Sequence, residues 1–167
     1  MLPNKVTLNV GCGERVYDTY PSSEYKCINF DERKLLEHVD EVGDVRDLSR
    51  WDDEVFNYIL ASDIIEHFPI KETESILLEW RRVLKVDGVI EFRMPDLNTI
   101  CKKYIEGTHD AKMTSWLLYG GQTYSGNFHY VGFDKKWFKS IIEPLGFEEL
   151  NSTNSGNNFV IKFRRVS

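Results

Sequence analysis

Apolar residues recur along this chain in two rhythms, and the rhythms alternate. Short dense runs come first: Lys5 to Val10, then Tyr25 to Phe30. Each fits a buried strand rather than a helix, because each is too short for helical periodicity and is bounded by glycine or polar clusters. Between them Glu14 to Ser23 is polar and carries Pro21, so any helix there is short or irregular. Glu32 to His38 has room for a short helix, Glu41-Val42-Gly43 for a brief third strand ending at Asp44, and Asp47 to Trp51 for one helical turn. Val55 to Ala61 is a fourth, strongly apolar strand.

The second rhythm begins after it. Ile76, Leu77, Trp80, Val83 and Leu84 share one face of a helix expected over Lys71 to Lys85, with Asp87-Gly88 as the turn into a fifth strand, Val89 to Met94. Asp96 is placed to cap a helix that runs to Glu106 and stops at Gly107, with Leu97, Ile100, Cys101, Tyr104 and Ile105 on one face. Residues 108–132 read as irregular. Asp134 caps a further helix carrying Trp137, Phe138, Ile141 and Ile142, ended by Pro144 and Gly146. Phe147 to Leu150 and Phe159 to Phe163 close the chain as two strands around a polar loop, Asn151 to Asn158. Strands alternating with helices and then a hairpin predict an α/β fold: a Rossmann-like three-layer sandwich on a mostly parallel seven-stranded sheet with a C-terminal antiparallel hairpin.

Composition narrows this picture. A chain of 167 residues fits one domain, 1–167, with an ordinary globular balance. The longest apolar runs are too short for a membrane span and the first five residues have no signal-peptide character, so a cytoplasmic protein is expected. The net charge of −6 argues against a broad nucleic-acid surface. Cys12, Cys27 and Cys101 are odd in number and form no CxxC, which suggests reduced thiols rather than a disulfide framework or zinc ribbon.

Ligands of such sheets sit at the carboxyl ends of the strands. Gly11–Gly13, Asp31, Asp44 and Ala61–Asp63 would all lie on that edge, although they are far apart in sequence. A dinucleotide needs a third glycine where this chain has Val16, so a nicotinamide cofactor is disfavoured. A phosphate-free nucleoside needs only a close glycine loop and an acidic residue for its ribose.

Taken in order, Leu-Asn-Val-Gly-Cys-Gly, Ile-Asn-Phe-Asp, Gly-Asp-Val-Arg-Asp-Leu, Ala-Ser-Asp-Ile-Ile-Glu-His-Phe, Glu-Trp-Arg-Arg-Val-Leu-Lys-Val-Asp-Gly and Met-Pro-Asp-Leu resemble the class I S-adenosylmethionine-dependent methyltransferases. The likeness is to a small bacterial and phage-type branch, methyltransferase type 11-like, and covers nearly the whole chain. It extends to Gly-Gly-Gln followed by Asn-Phe-His-Tyr-Val-Gly-Phe-Asp. The resemblance implies that Gly11, Cys12 and Gly13 line the methionine part of S-adenosyl-L-methionine and that Asp31 takes the ribose hydroxyls. It implies that Asp44 holds the adenine amine beside the Val45 N–H, and that Ala61 and Ser62 face the methionine ammonium. Two departures are visible: strand one begins almost at once, which implies an open site or a covering partner, and the loop after Gly13 is polar and thin, which implies weak cofactor affinity.

For the transfer, His67 is the expected base, since imidazole titrates near neutrality, with Glu66 orienting or replacing it and His129 as a second candidate. His38 and His109 read as surface. Asp63, Glu66 and His67 would share a face if their stretch were helical, a spacing similar to that of metal-assisted O-methyltransferases, although no metal is called for by the pattern as a whole. An acceptor-recognition insertion is expected at about 107–133, where Trp116, Tyr119, Tyr124, Phe128, Tyr130 and Phe133 stand among glycines. The expected reaction is methyl transfer to a small-molecule or glycan acceptor, at oxygen. The alternatives are a degenerate fold acting as a binding module and a nucleic-acid methyltransferase. A homo-oligomer or partner subunit is compatible with either.

Overall fold

A computed structural model of the chain describes residues 4–34 and 38–166. Its strands are β1 (Lys5–Val10), β2 (Tyr25–Asp31), β3 (Glu41–Val42), β4 (Phe56–Ser62), β5 (Leu84–Pro95), β6 (Phe147–Ser155) and β7 (Asn158–Arg165). Its α-helices are α1 (Ile70–Val83), α2 (Leu97–Ile105), α3 (Ala111–Tyr119) and α4 (Lys135–Ile142). The seven strands form one sheet in the order β3-β2-β1-β4-β5-β7-β6. Neighbours from β3 to β5 run parallel, while β7 runs antiparallel to both β5 and β6. The expected topology is therefore the observed one.

Register decides where the site falls. Val10 pairs with Phe30 on one side and with Ala61 on the other, so β1, β2 and β4 end level with one another. Alternate residues of these strands point to opposite faces. Leu8, Val10, Ile59, Ile90, Phe92 and Phe163 belong to the buried core. They pack beneath Ile76, Leu77 and Trp80 of α1 and Phe138 and Ile142 of α4, with Phe92 stacked on Trp80 at 6.2 Å and edge-on to Phe138 at 4.7 Å.

The other face is polar: Thr7, Asn9, Asn29, Tyr58 and Glu91 occupy the alternate positions and are all buried. Irregular chain, not a helix, covers them. The Tyr20 hydroxyl donates to Glu91 at 2.9 Å and the Tyr58 hydroxyl at 2.5 Å, while Arg93 and Lys162 pair with the same carboxylate at 2.7 and 3.2 Å. Burial raises the pKa of Glu91, but the bonds from Tyr58, Arg93 and Tyr20 outweigh it and hold the pKa below the usual carboxylate range. Asn9 donates to the Arg15 carbonyl at 2.7 Å and to Asn29 at 3.0 Å, and Thr7 donates to the Tyr20 carbonyl. This side of the sheet is held by satisfied hydrogen bonds rather than by apolar packing.

Four expectations need correction. Residues 111–119, read as irregular, form α3: Asp110 caps it by accepting from the Met113 N–H at 2.7 Å, yet only Leu117 is buried, so no apolar stripe betrays the helix. The helix before β5 ends at Val83, and Asp87-Gly88 is not a turn before the strand but a bulge within it, where Asp87 takes φ 62° and pairing jumps from Leu84 to Val89. The terminal strands are longer than expected, meeting at a tight Gly156-Asn157 turn with Gly156 at φ 65°. Residues 47–51 make turns, not a helical one. The helix expected over Glu32 to His38 falls partly outside the described residues. No helix among the described residues is long and apolar enough to cross a membrane.

Candidate active site

β1 delivers the chain into the glycine loop. Gly11 and Gly13 adopt φ 62° and 53°, a region that costs any residue with a Cβ, and a Cβ on Gly11 would lie 2.5 Å from Ile64. The loop is tied to the next strand twice: the Cys12 N–H donates to the Phe30 carbonyl at 3.1 Å, and the Gly13 N–H donates to Asp31 Oδ2 at 2.8 Å. Cys12 is buried, which together with the nearby Asp31 charge pushes its thiol up to about 12. It is a packing residue whose backbone shapes the loop.

Asp31 is only 5% exposed. Its Oδ1 accepts from the Arg33 backbone N–H at 3.0 Å and from Arg33 Nε at 2.9 Å. Burial pushes its carboxyl up, but the Arg33 and Gly13 donors outweigh burial and leave the pKa lowered. Asp44 repeats this arrangement one strand further along. Its Oδ1 accepts from the Arg46 N–H at 2.9 Å, and the Arg46 guanidinium grips both oxygens, with Nη2 to Oδ2 at 2.7 Å. That grip is the leading cause of its lowered pKa. The two carboxylates expected to read ribose and adenine are thus each clamped by an arginine two residues on. Val45, between Asp44 and Arg46, is buried, and its carbonyl accepts from Trp80 Nε1 at 2.8 Å.

At the end of β4, Ala61 is in the core and offers only backbone, whereas Ser62 Oγ accepts from Arg15 at 3.0 Å. Arg15 also pairs with Asp63 Oδ2 at 2.8 Å, and Asn158 donates to Asp63 Oδ1 at 2.8 Å. Asp63 sits at φ 53°, outside the short 3₁₀ turn Ile65–His67. The helical condition for a shared face of Asp63, Glu66 and His67 is therefore not met; Asp63 turns toward β7.

His129 takes its place. The rings of His67 and His129 meet edge-on at 4.7 Å, and Glu66, His67 and His129 each offer a ligand atom within 4.8 Å of the others. His67 Nδ1 lies 3.0 Å from the Phe128 carbonyl and His129 Nδ1 lies 3.0 Å from the Leu117 carbonyl. A carbonyl only accepts, so both rings carry their proton on Nδ1 and present a bare Nε2. Burial is the main cause lowering both imidazole pKa values, and for His67 the neighbouring His129 adds to it. Glu66 is 1% exposed, and neither carboxylate oxygen has a hydrogen-bond partner among the described residues. Burial, with the Asp63 charge behind it, raises its pKa well above the usual range.

One segment links the two ends. Arg33 lies over the Tyr124 ring at 5.1 Å, Gly126 abuts Glu32, Phe128 holds His67, and the Tyr130 N–H donates to the Glu66 carbonyl at 2.8 Å. Of the aromatics expected to meet an acceptor, Trp116, Tyr119, Tyr124, Phe128 and Tyr130 are exposed. Phe133 is instead core, packed against Phe138. The sequence reading missed Arg15, Arg33 and Arg46. The repeated Asp-x-Arg at 31–33 and 44–46 was the available signal for the last two.

The pattern of the family described as methyltransferase domain matches residues 8–92, just over half of the chain. The chain belongs to that family. No curated protein sequence matches it significantly. Among solved structures, a Methanosarcina mazei S-adenosylmethionine-dependent methyltransferase superposes with a TM-score of 0.68 at 19% identity, covering 99% of this chain and 94% of that one. The Burkholderia thailandensis 1,6-didemethyltoxoflavin-N1-methyltransferase, solved with 1,6-didemethyltoxoflavin and S-adenosylhomocysteine, gives 0.68 at 15%, covering 97% and 71%. A Haloferax volcanii methyltransferase, solved with the activator Trm112, gives 0.67 at 10%, covering 98% and 83%. The fold is that of the S-adenosylmethionine-dependent methyltransferases.

Proposed function

We propose that residues 1–167 work as one catalytic domain that binds S-adenosylmethionine at the ends of β1 to β4 and methylates a small-molecule or glycan acceptor at oxygen. The observation that carries the cofactor site is the Gly13 N–H on the Asp31 carboxylate, which joins the glycine loop to the diol-reading acid. A loop of positive-φ glycines admits close backbone approach, and a carboxylate suits a ribose diol. Asp44 with Val45 would meet the adenine, and Arg15 beside Ser62 stands where a carboxylate tail needs a cation. Bound there, the cofactor supplies an electrophilic methyl group.

The chain's own residues supply orientation and a place for a proton. The bare Nε2 of His67 accepts the proton of an acceptor hydroxyl while that oxygen takes the methyl group, and His129 lies within reach for the same task. Burial raises the pKa of Glu66 well above the usual carboxylate range, so the proton-accepting role falls to the histidines in this arrangement. Exposed Trp116, Tyr119, Tyr124 and Tyr130 in residues 107–133 give an aromatic surface suited to a planar or sugar acceptor. The 1,6-didemethyltoxoflavin bound to the Burkholderia neighbour supports a small-molecule acceptor, although that enzyme is an N1-methyltransferase.

One observation favours a second reading, a repurposed fold that binds no cofactor: both acidic readers are already occupied by Arg33 and Arg46. Calorimetric titration with S-adenosylhomocysteine separates the two. Micromolar binding that disappears in Asp31→Ala supports the enzyme; no binding at millimolar ligand supports the repurposed fold. Labelled methyl transfer confined to amine acceptors would overturn the assignment to oxygen. The Haloferax complex motivates repeating a negative titration in the presence of a copurifying subunit.

A further inference from the structure

We propose that Glu66, His67 and His129 form a binding site for a divalent transition-metal ion, of which zinc is the type. The proposal rests on reading this cluster as the acceptor end of the site, and it deepens that reading. Three independent features point to a cation. The ligand atoms converge: one carboxylate and two imidazoles lie within 4.8 Å of one another, so small side-chain rotations bring them to the roughly 3.3 Å spacing of neighbours on an ion with bonds of about 2.0–2.1 Å. The rings are set for it: each histidine spends its Nδ1 proton on a backbone carbonyl at 3.0 Å, the outer-shell bond that fixes the tautomer of a metal-binding imidazole and leaves Nε2 as the ligand atom. The carboxylate lacks what it needs: Glu66 is 1% exposed and neither of its oxygens meets a donor among the described residues, a costly state that a cation relieves directly.

The donor set also selects the metal. Two imidazoles with one carboxylate suit zinc, cobalt, iron or nickel better than magnesium or calcium, which prefer oxygen ligands. Three protein ligands leave a position open. His67 and His129 are half-buried rather than sealed, so that position faces ligand-accessible space. Asp63 is excluded by its bonds to Arg15 and Asn158. An ion seated here would take both Nε2 atoms as ligands and so replace His67 as the means of activation: a metal-held acceptor oxygen would release its proton to solvent more readily than a free one.

The test uses the full chain stripped with chelator and titrated with Co(II), whose visible absorption reports its coordination. The expected result is one ion per chain at micromolar or tighter affinity, displaced by zinc. Affinity should fall at least tenfold in His129→Ala and in Glu66→Gln, and stay unchanged in His38→Ala. Because a variant that fails to fold would mimic lost binding, the wild-type chain is also followed by proton NMR. Co(II) should broaden the imidazole signals of His67 and His129 and spare those of His38 and His109. Binding absent at millimolar Co(II), equal in all variants, or broadening all four histidines alike would overturn the site. Titrating the same metal-free sample with S-adenosylhomocysteine keeps failure of the metal site distinct from failure of the cofactor reading.

Discussion

Two groups of acidic residues stand along one edge of the sheet and are treated oppositely. Asp31 and Asp44, at the ends of β2 and β3, are saturated: each carries its own arginine and accepts that arginine's backbone N–H. Glu66, past β4, is more deeply buried and its carboxylate oxygens have no hydrogen-bond partner among the described residues. The contrast assigns the two ends different electrical tasks. The first end keeps its carboxylates ionised before any ligand arrives. At the second, burial raises the pKa of the acid and lowers those of the two imidazoles beside it, which disfavours charge on all three until a cation arrives. The same difference gives the two ends opposite dependences on pH.

The largest effect should come from breaking the saturated end. Asp31→Ala leaves the Gly13 N–H and the Arg33 guanidinium unpaired and removes the diol reader, so S-adenosylhomocysteine affinity should fall on the order of 100-fold, measured by calorimetry. At the other end, Glu66→Gln removes an acid whose folded pKa is raised above its unfolded value. Such a group stabilises the fold fully below its unfolded pKa near 4.5, and that contribution is lost as pH rises toward the folded pKa. In the metal-free chain Glu66→Gln should therefore raise Tm by roughly 3–6 °C at neutral pH, with the gain vanishing near pH 4. Asp31 has the reverse sign: its pKa is lowered, so its contribution is present above about 3.8 and lost as pH falls through the folded value.

Smaller effects sharpen the comparison. Arg33→Ala frees the Asp31 oxygens for a ligand and should tighten S-adenosylhomocysteine binding about fivefold while making the fold more acid-sensitive; weaker binding would show that Arg33 is a ligand contact rather than a clamp. Arg46→Ala breaks a half-exposed pair and should change stability by less than ~1 kcal/mol, an effect that 0.5 M salt erases.

The sheet was legible because its signals are local and strong. The Val6–Val10 and Val55–Ala61 runs allow only buried strands, and the stop at Gly11 fixes where the first one ends. The cofactor end was legible for the same reason, since each of its residues terminates a strand. α3 was not, because only Leu117 of its apolar residues is buried and one position sets no period. The Glu66, His67 and His129 cluster was read only in part. Glu66 and His67 are neighbours in sequence, but His129 comes from a distant loop, and the backbone of Asp63 turns that residue away from the group its helical spacing would join. Long-range convergence through a loop leaves no spacing to read.

The Tyr124–Tyr130 segment touches Arg33 at one end and holds Glu66 and His67 at the other. A strap fastened at both ends admits traffic on one side only by loosening on both. Initial-rate kinetics should then show compulsory order rather than random addition: the nucleoside enters first and its spent form leaves last, with the acceptor coming and going beneath a strap already drawn tight.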